Sequence, residues 1–340
     1  MAPPPLPPPL LLLLALSALL LLSSAARSQS RRTPPLSADY YARSCPNFDQ
    51  IVSSTTTDKQ IRSPTTAAGT LRLFFHDCFV GGCDASVLVS RTRTGGPTER
   101  DADINLSLPG DAFDVVVRAK TELELTCPGI VSCADILATA ARNLVVMAGG
   151  PYYNVLLGRK DSLTSRASDV NGRLPKPTMT MTQMIQIFES KGFTVQEMVA
   201  LSGAHTIGFS HCKEFSSNIY NYKGSQSGSH PAYYPQFAAG LRRACDNFTK
   251  NPDLSVVNDI MTPHIFDNKY YSNVKNGLGL LLSDLALSSD PRTRNYVDHY
   301  SNNQTAFFEA FARAMEKLSV YGVKTGRQGE VRRRCDAFNN

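Results

Sequence analysis

The sequence predicts a mainly α fold, and three observations carry that reading. Apolar residues recur at i, i+3, i+4 and i+7 in eight long segments. Alternating strand patterns are short and few, residues 153–157 being the best. No internal repeat is present, which sets aside solenoids and propellers.

The helical segments run in order over residues 49–62, 67–79, 112–125, 133–148, 180–191, 233–244, 267–275 and 304–318. Several carry punctuation. Ser132 precedes a helix with Asp135 three residues on, and Thr194 stands before Val195-Gln196-Glu197, both in the pattern of an N-terminal cap. Gly149-Gly150 and Gly192 sit where helices should stop. Between helices lie the irregular stretches 90–110, 158–177 and 222–231, too long for simple connectors and therefore functional or clamped loops.

The 340 residues are 42% hydrophobic and 19% charged, with no tryptophan, so a core can form and disorder or a collagen-like chain is excluded. The net charge of +6 is dispersed. Its one dense run, Arg332 to Arg334, reads as a solvated terminal segment, so no nucleic-acid partner is expected.

Residues 10–22 form an apolar run, interrupted only by Ala15, Ser17 and Ala18, and lead into Ser23-Ser-Ala-Ala. A bilayer span needs about 20 such residues, whereas a signal peptide needs fewer and places small residues after them. Residues 1–28 are therefore read as a signal peptide and 29–340 as the mature domain. The proline-rich start lacks the usual positive charge, which leaves an uncleaved anchor as the alternative. The product expected is extracellular, with no membrane association after cleavage.

Export makes the eight cysteines interpretable. An even number in an oxidising compartment can pair completely, in roughly a hundred ways, and no C-x-x-C suggests zinc or redox chemistry. Asn247-Phe-Thr and Asn303-Gln-Thr are candidate glycan acceptors on surface loops, and Asn105-Leu-Ser is a third sequon.

Chemistry concentrates around two histidines. In Leu71-Arg-Leu-Phe-Phe-His-Asp-Cys-Phe, Arg72 and His76 are four apart and share a helix face, with Phe75 beside them. A permanent cation and an imidazole titrating near neutrality can together serve one small substrate. The bare spacing is more often an ordinary surface pair. Oxygen-bearing positions follow at Asp77, Val80, Gly82, Asp84 and Ser86, in a loop bracketed by Cys78 and Cys83, and suit a hard cation such as calcium or else a polar turn. The second centre is His205, in an apolar helical setting in Leu201-Ser-Gly-Ala-His-Thr-Ile-Gly. As a lone residue it is more often structural than an iron ligand. Asp259, Thr262, Ile265 and Asp267, with Thr206, form another oxygen series.

Taken in order, Arg72-Leu-Phe-Phe-His-Asp-Cys, Val131-Ser-Cys-Ala-Asp, Leu201-Ser-Gly-Ala-His-Thr-Ile-Gly and Ile265-Phe-Asp-Asn-Lys-Tyr-Tyr resemble the secretory class III plant haem peroxidases. The likeness runs from about residue 40 to 335 and takes in every cysteine. It implies two mostly helical halves with one haem b between them, and disulfides Cys45–Cys127, Cys78–Cys83, Cys133–Cys335 and Cys212–Cys245. By resemblance, His205 is the iron ligand and Asp284 accepts its other ring proton. His76 is the distal base, Arg72 steadies developing negative charge, and Asn105 orients His76. A buried orienting residue should not be glycosylated, so the Asn105 sequon is expected to stay bare.

Two calcium ions are implied, a distal one at Asp77, Val80, Gly82, Asp84 and Ser86, and a proximal one at Thr206, Asp259, Thr262, Ile265 and Asp267. Pro175 resembles the proline at the mouth where aromatic donors dock. The implied activity is one-electron oxidation of small phenolic donors by hydrogen peroxide, in cell-wall phenolic metabolism and the oxidative stress response, by a monomer.

Two departures stand out. Residues 105–113 read Asn-Leu-Ser-Leu-Pro-Gly-Asp-Ala-Phe where many relatives have a shorter Ser-Leu-Arg-Gly-Phe, so the loop behind Asn105 should differ in shape. Tyr152-Tyr153 stands in place of the usual tryptophan. The competing readings are a non-catalytic, disulfide-stapled protein that binds anionic wall polysaccharide, and a haem binder with little turnover.

Overall fold

The computed structural model describes residues 36–90, 95–220, 222–223 and 228–339. The segment read as a signal peptide lies outside them. Twelve α-helices are present among the described residues: α1 Phe48–Arg62, α2 Thr66–Val80, α3 Gly110–Thr126, α4 Cys133–Met147, α5 Met181–Glu189, α6 Val195–Ser202, α7 Ser216–Ile219, α8 Pro235–Ala244, α9 Lys269–Lys275, α10 Leu282–Ser289, α11 Arg294–Asn302 and α12 Gln304–Ser319. One small antiparallel pair joins β1 Phe209–His211 to β2 Ser255–Val257, with Ser210 opposite Val256.

Caps account for several helix starts. The Ser132 hydroxyl accepts the Asp135 N–H at the head of α4, and Thr194 and Glu197 close a reciprocal capping box at α6. Gly149, at φ +96°, turns the chain after α4 in a conformation that disfavours other residues.

The alternation at 153–157 is real as burial but does not make a strand. Tyr153, Val155 and Leu157 are buried while Asn154 and Leu156 are exposed. Only Leu157 finds a backbone partner, exchanging hydrogen bonds with Ser37. Helices α6, α7, α10 and α11 and both strands lie outside the predicted segments, although Thr194 marked the start of α6.

Helix α2 is the structural centre. It packs on α4 and α3, and every residue but Ala68, Arg72 and Phe75 is buried. Those three fall at i, i+4 and i+7, so one stripe of an otherwise enclosed helix stays accessible. Gly208 meets α2 at Ala68, where an added Cβ would lie 2.9 Å from that of the alanine. This close approach brings the chain just beyond His205 against the helix that carries Arg72 and His76. A second, smaller core around Phe215, Ile219, Tyr233 and Leu241 supports the region after β1.

The four disulfides join the pairs the resemblance implies. The link from Cys133 to Cys335 closes a separation of 202 residues and ties the last segment to α4. In the disputed chain-entropy model, a loop of that size restrains the unfolded chain by roughly 5 kcal/mol.

One charge expectation is overturned. Arg332 is fully buried, and its guanidinium donates to the carbonyls of Ala85 at 2.8 Å and Ser162 at 2.6 Å. Only Arg333 and Arg334 of that run are solvated. A second buried cation, Arg159, pairs with Asp135 at 2.8 Å, and the Tyr41 hydroxyl donates to the same carboxylate at 2.7 Å.

Candidate active site

His76 lies on the third turn of α2 and is 7% exposed. Its Nδ1 is 2.6 Å from Asn105 Oδ1, and Asn105 Nδ2 donates to the Glu99 carbonyl at 2.7 Å. That second bond settles the first. An amide whose nitrogen must donate to a carbonyl can present only its oxygen to the histidine, so the imidazole proton sits on Nδ1 and Nε2 keeps its lone pair. Burial, reinforced by the Arg72 charge, depresses the His76 pKa to about 3 against the support of Asn105. The ring is therefore neutral at physiological pH and able to accept a proton.

Asn105 ends a 3₁₀ turn, Asp103–Asn105, and is 2% exposed with both amide atoms engaged. A side chain so enclosed leaves no room for a glycan. Glu99 was not singled out from the sequence. It contributes through a main-chain oxygen, which has no residue-type signature. Its carboxylate accepts from Ser86 Oγ at 2.9 Å and is pushed up to about 8 by burial and then by Asp77.

Arg72 is half-buried, and among the described residues no carboxylate forms an ion pair with it. Nη1 donates to the Ser107 carbonyl at 3.0 Å, while Nη2 donates to Ser107 Oγ at 3.0 Å and to the Ile104 carbonyl at 3.2 Å. Burial pulls its pKa down, and the nearby charge of Glu214 opposes that. Phe75 stacks on Phe79 with ring centres 4.3 Å apart and forms an apolar wall beside His76.

His205 lies in a 3₁₀ turn, Gly203–Thr206, directly after α6 and not within a helix as expected. Gly203 allows the tight packing there, since a Cβ would come 2.5 Å from both Phe307 and the Tyr271 hydroxyl. The His205 side chain is 42% exposed although it lies deep in the protein, so it faces an internal cleft and not bulk solvent. Its Nδ1 lies 3.1 and 3.2 Å from the two oxygens of Asp284, in the first turn of α10. Burial lowers the His205 pKa, but the Asp284 charge and hydrogen bond outweigh it and the net shift is upward. With Nδ1 engaged, Nε2 is the nitrogen left for a metal, and the Arg72 charge acts on the ring. An accessible imidazole with a fixed tautomer, within electrostatic reach of the Arg72 guanidinium, fits a ligand to haem iron.

The two oxygen series behave differently. In the proximal one, Thr206 Oγ1 lies 3.4 Å from each of Asp259 Oδ2, the Ile265 carbonyl and Asp267 Oδ1. Thr262 Oγ1 lies 3.1 Å from Asp267 Oδ1. A hydroxyl donates one proton and prefers about 2.7–2.8 Å, so three equal, long contacts are not a hydrogen-bond optimum. Oxygens so spaced match the edges of a shell around a cation with ligands at about 2.4 Å.

The distal series is partly occupied by the chain's own cations. Asp84 pairs with Lys324, and the Val80 carbonyl accepts from Arg173 at 2.7 Å. Asp77 accepts from the Ala85 N–H at 2.9 Å, and burial followed by the Asp84 charge raises its pKa. Gly82 adopts φ +117° against the Gly322 backbone. Among the described residues no three His, Cys, Asp or Glu side chains form a metal cluster. Each series has two carboxylates with hydroxyl and carbonyl oxygens.

Pro175 is half-buried in the loop before α5, with no hydrogen bond or ring contact to either histidine among the described residues. Asn247 and Asn303 are exposed, and Asn303 Oδ1 caps α12 by accepting the Ala306 N–H.

A helical frame holding an arginine, a neutral histidine and a carboxylate-bound second histidine defines a haem peroxidase. A family model described as Peroxidase matches residues 52–303. Three relatives from Arabidopsis thaliana agree. Peroxidase 31 is 58% identical over 304 residues, covering 89% of this chain and 94% of the relative. Peroxidase 6 is 59% identical over 305 residues, covering 90% and 93%. Peroxidase 63 is 58% identical over 304 residues, covering 89% and 90%. The chain belongs to the peroxidase family, in its class III plant branch. Its cofactor is haem, and its substrates are hydrogen peroxide and a reducing donor.

Proposed function

We propose that the protein is a secreted peroxidase that oxidises small phenolic donors in single-electron steps, with His76 as base, Arg72 as anion stabiliser and His205 as iron ligand. The observation that carries these roles is the Asn105–His76 bond with its Glu99 anchor, because it leaves Nε2 as the proton acceptor of a neutral ring. Bound haem supplies the two-electron oxidising centre that a protein side chain cannot. His76 takes a proton from peroxide through Nε2 and returns it to the departing oxygen. Arg72 keeps a full positive charge against the negative charge that develops on that oxygen, since its acceptors are all neutral. Asp284 holds His205 Nδ1–H and so raises the donor strength of Nε2.

We place calcium at both oxygen series. The proximal site has stronger support, because its oxygens converge. At the distal site Lys324 already neutralises Asp84, so calcium there should bind more weakly. Each ion would brace a histidine, through Asp77 next to His76 and Thr206 next to His205. Residues 1–28 direct export, Asn247 and Asn303 carry the glycans, Pro175 borders the donor approach, and the chain works as a monomer without membrane or nucleic-acid partners. No helix among the described residues is long and apolar enough to cross a membrane.

Stoichiometry tests the reaction. Haem-loaded protein should consume two phenol molecules per peroxide and release phenoxyl-coupled products. Peroxide consumption without donor oxidation would contradict the assignment, and absence of haem uptake would favour the polysaccharide-binding alternative.

A further inference from the structure

The departing loop after Asn105 bears on the distal arginine. Asn105 Oδ1 grips His76, and two residues later Ser107 meets Arg72 through both its carbonyl and its hydroxyl. Leu106 is 66% exposed whereas Leu108 is buried, so the chain between them turns Ser107 inward. Pro109 seats the loop on α2, where a Cβ on Gly69 would lie 2.5 Å from the proline ring. Gly69 is one turn before Arg72, so the loop docks on the helix at Gly69, Arg72 and His76 in succession.

We propose that Ser107 is a positioning residue for Arg72, an assignment that rests on the proposed role of that arginine. A guanidinium has five N–H donors, and the loop takes three, leaving Nε–H and one Nη1–H for a ligand. The acceptors are a hydroxyl and two carbonyls. They fix the plane of the group without cancelling its charge, which an aspartate at the same place would do. One loop thereby sets the tautomer of the base and the aim of the cation, and among the described residues Ser107 supplies the one side-chain hydrogen bond to the cation.

Fluoride is a suitable probe, being a small anion that a directed guanidinium stabilises without any turnover. Ferric, haem-loaded parent, Ser107→Ala, Ser107→Thr, Arg72→Leu and the Arg72→Leu/Ser107→Ala double variant are titrated with sodium fluoride and followed by absorbance. Haem content and thermal midpoint are matched first. The Ala variant should bind about fivefold more weakly, on the scale of the net worth of one ordinary hydrogen bond, and the Thr variant should bind as the parent does. In the Arg72→Leu background the Ala change should have no further effect. Parent-like fluoride binding by Ser107→Ala overturns the assignment, and so does a fivefold loss that persists without Arg72. A parent that takes up no haem overturns the underlying reading of Arg72 as well.

Discussion

Asn105→Val isolates the orienting amide with little change of side-chain shape. Asn105 is 2% exposed and makes a 2.6 Å contact to His76 Nδ1 and a 2.7 Å bond to the Glu99 carbonyl. Valine makes neither, and leaves a buried N–H and a buried carbonyl without partners. Each unsatisfied group costs about 1–3 kcal/mol, and the extra apolar burial returns part of that, so a net loss of about 2–4 kcal/mol is expected. The effect on chemistry is separate. Without the amide oxygen the proton is no longer held on Nδ1, and in the other tautomer Nε2 cannot accept. The same bond strengthens as Nε2 takes the proton and the ring becomes charged, so losing about 1.5–3 kcal/mol there slows the reaction with peroxide about 10- to 100-fold. Rapid mixing of haem-loaded variant and parent with excess peroxide, followed by absorbance, measures this directly. A variant that loads haem and reacts at the parent rate would refute the claim that Asn105 sets the tautomer.

The remaining predictions concern protons and calcium. Because burial and Arg72 hold the His76 pKa at about 3, the peroxide rate constant should be level from pH 5 to 8 and decline only near pH 4 and below. An acid limb near 6.5 would show an ordinary, solvated histidine. The unfolded chain protonates that residue near 6.5 and the folded chain does not. His76 therefore adds no instability above pH 6.5, and it costs stability progressively as pH falls from there toward 3, which thermal midpoints across that range would reveal. Prolonged chelation should lower the midpoint by several degrees and alter the haem absorption band. Protein shown by atomic emission to have lost its calcium, yet unchanged in both, would contradict the proximal assignment. Lys324→Met removes the ammonium from Asp84 and should make stability depend more steeply on calcium.

Much of this was legible in the sequence because particular residue types mark particular backbone events. Ser132, Thr194 and Gly149 announced helix ends that the structure places where the caps require. Helix α11 was not legible, since only Val297 and Tyr300 of its nine residues are buried and the apolar stripe is too thin to read. The strands β1 and β2 are three residues each, shorter than any alternation can establish. Residues 153–157 misled for the opposite reason, since their alternation reports a buried side and not a paired backbone. Arg332 looked solvated because charge runs usually are. Its acceptors, Ala85 and Ser162, are remote in sequence and use main-chain oxygens. The same blindness hid Glu99, whose role runs through its carbonyl. Asp284 was placed by resemblance, and the structure brings it against His205 across 79 residues.

The central claim is that a neutral imidazole at His76 moves the peroxide proton beside an iron held by His205. The most direct test is the bimolecular rate constant for peroxide with His76→Ala at matched haem content. A loss of about 10²- to 10⁴-fold is predicted, the range a positioned acid–base group supplies. A rate equal to that of the parent would contradict it.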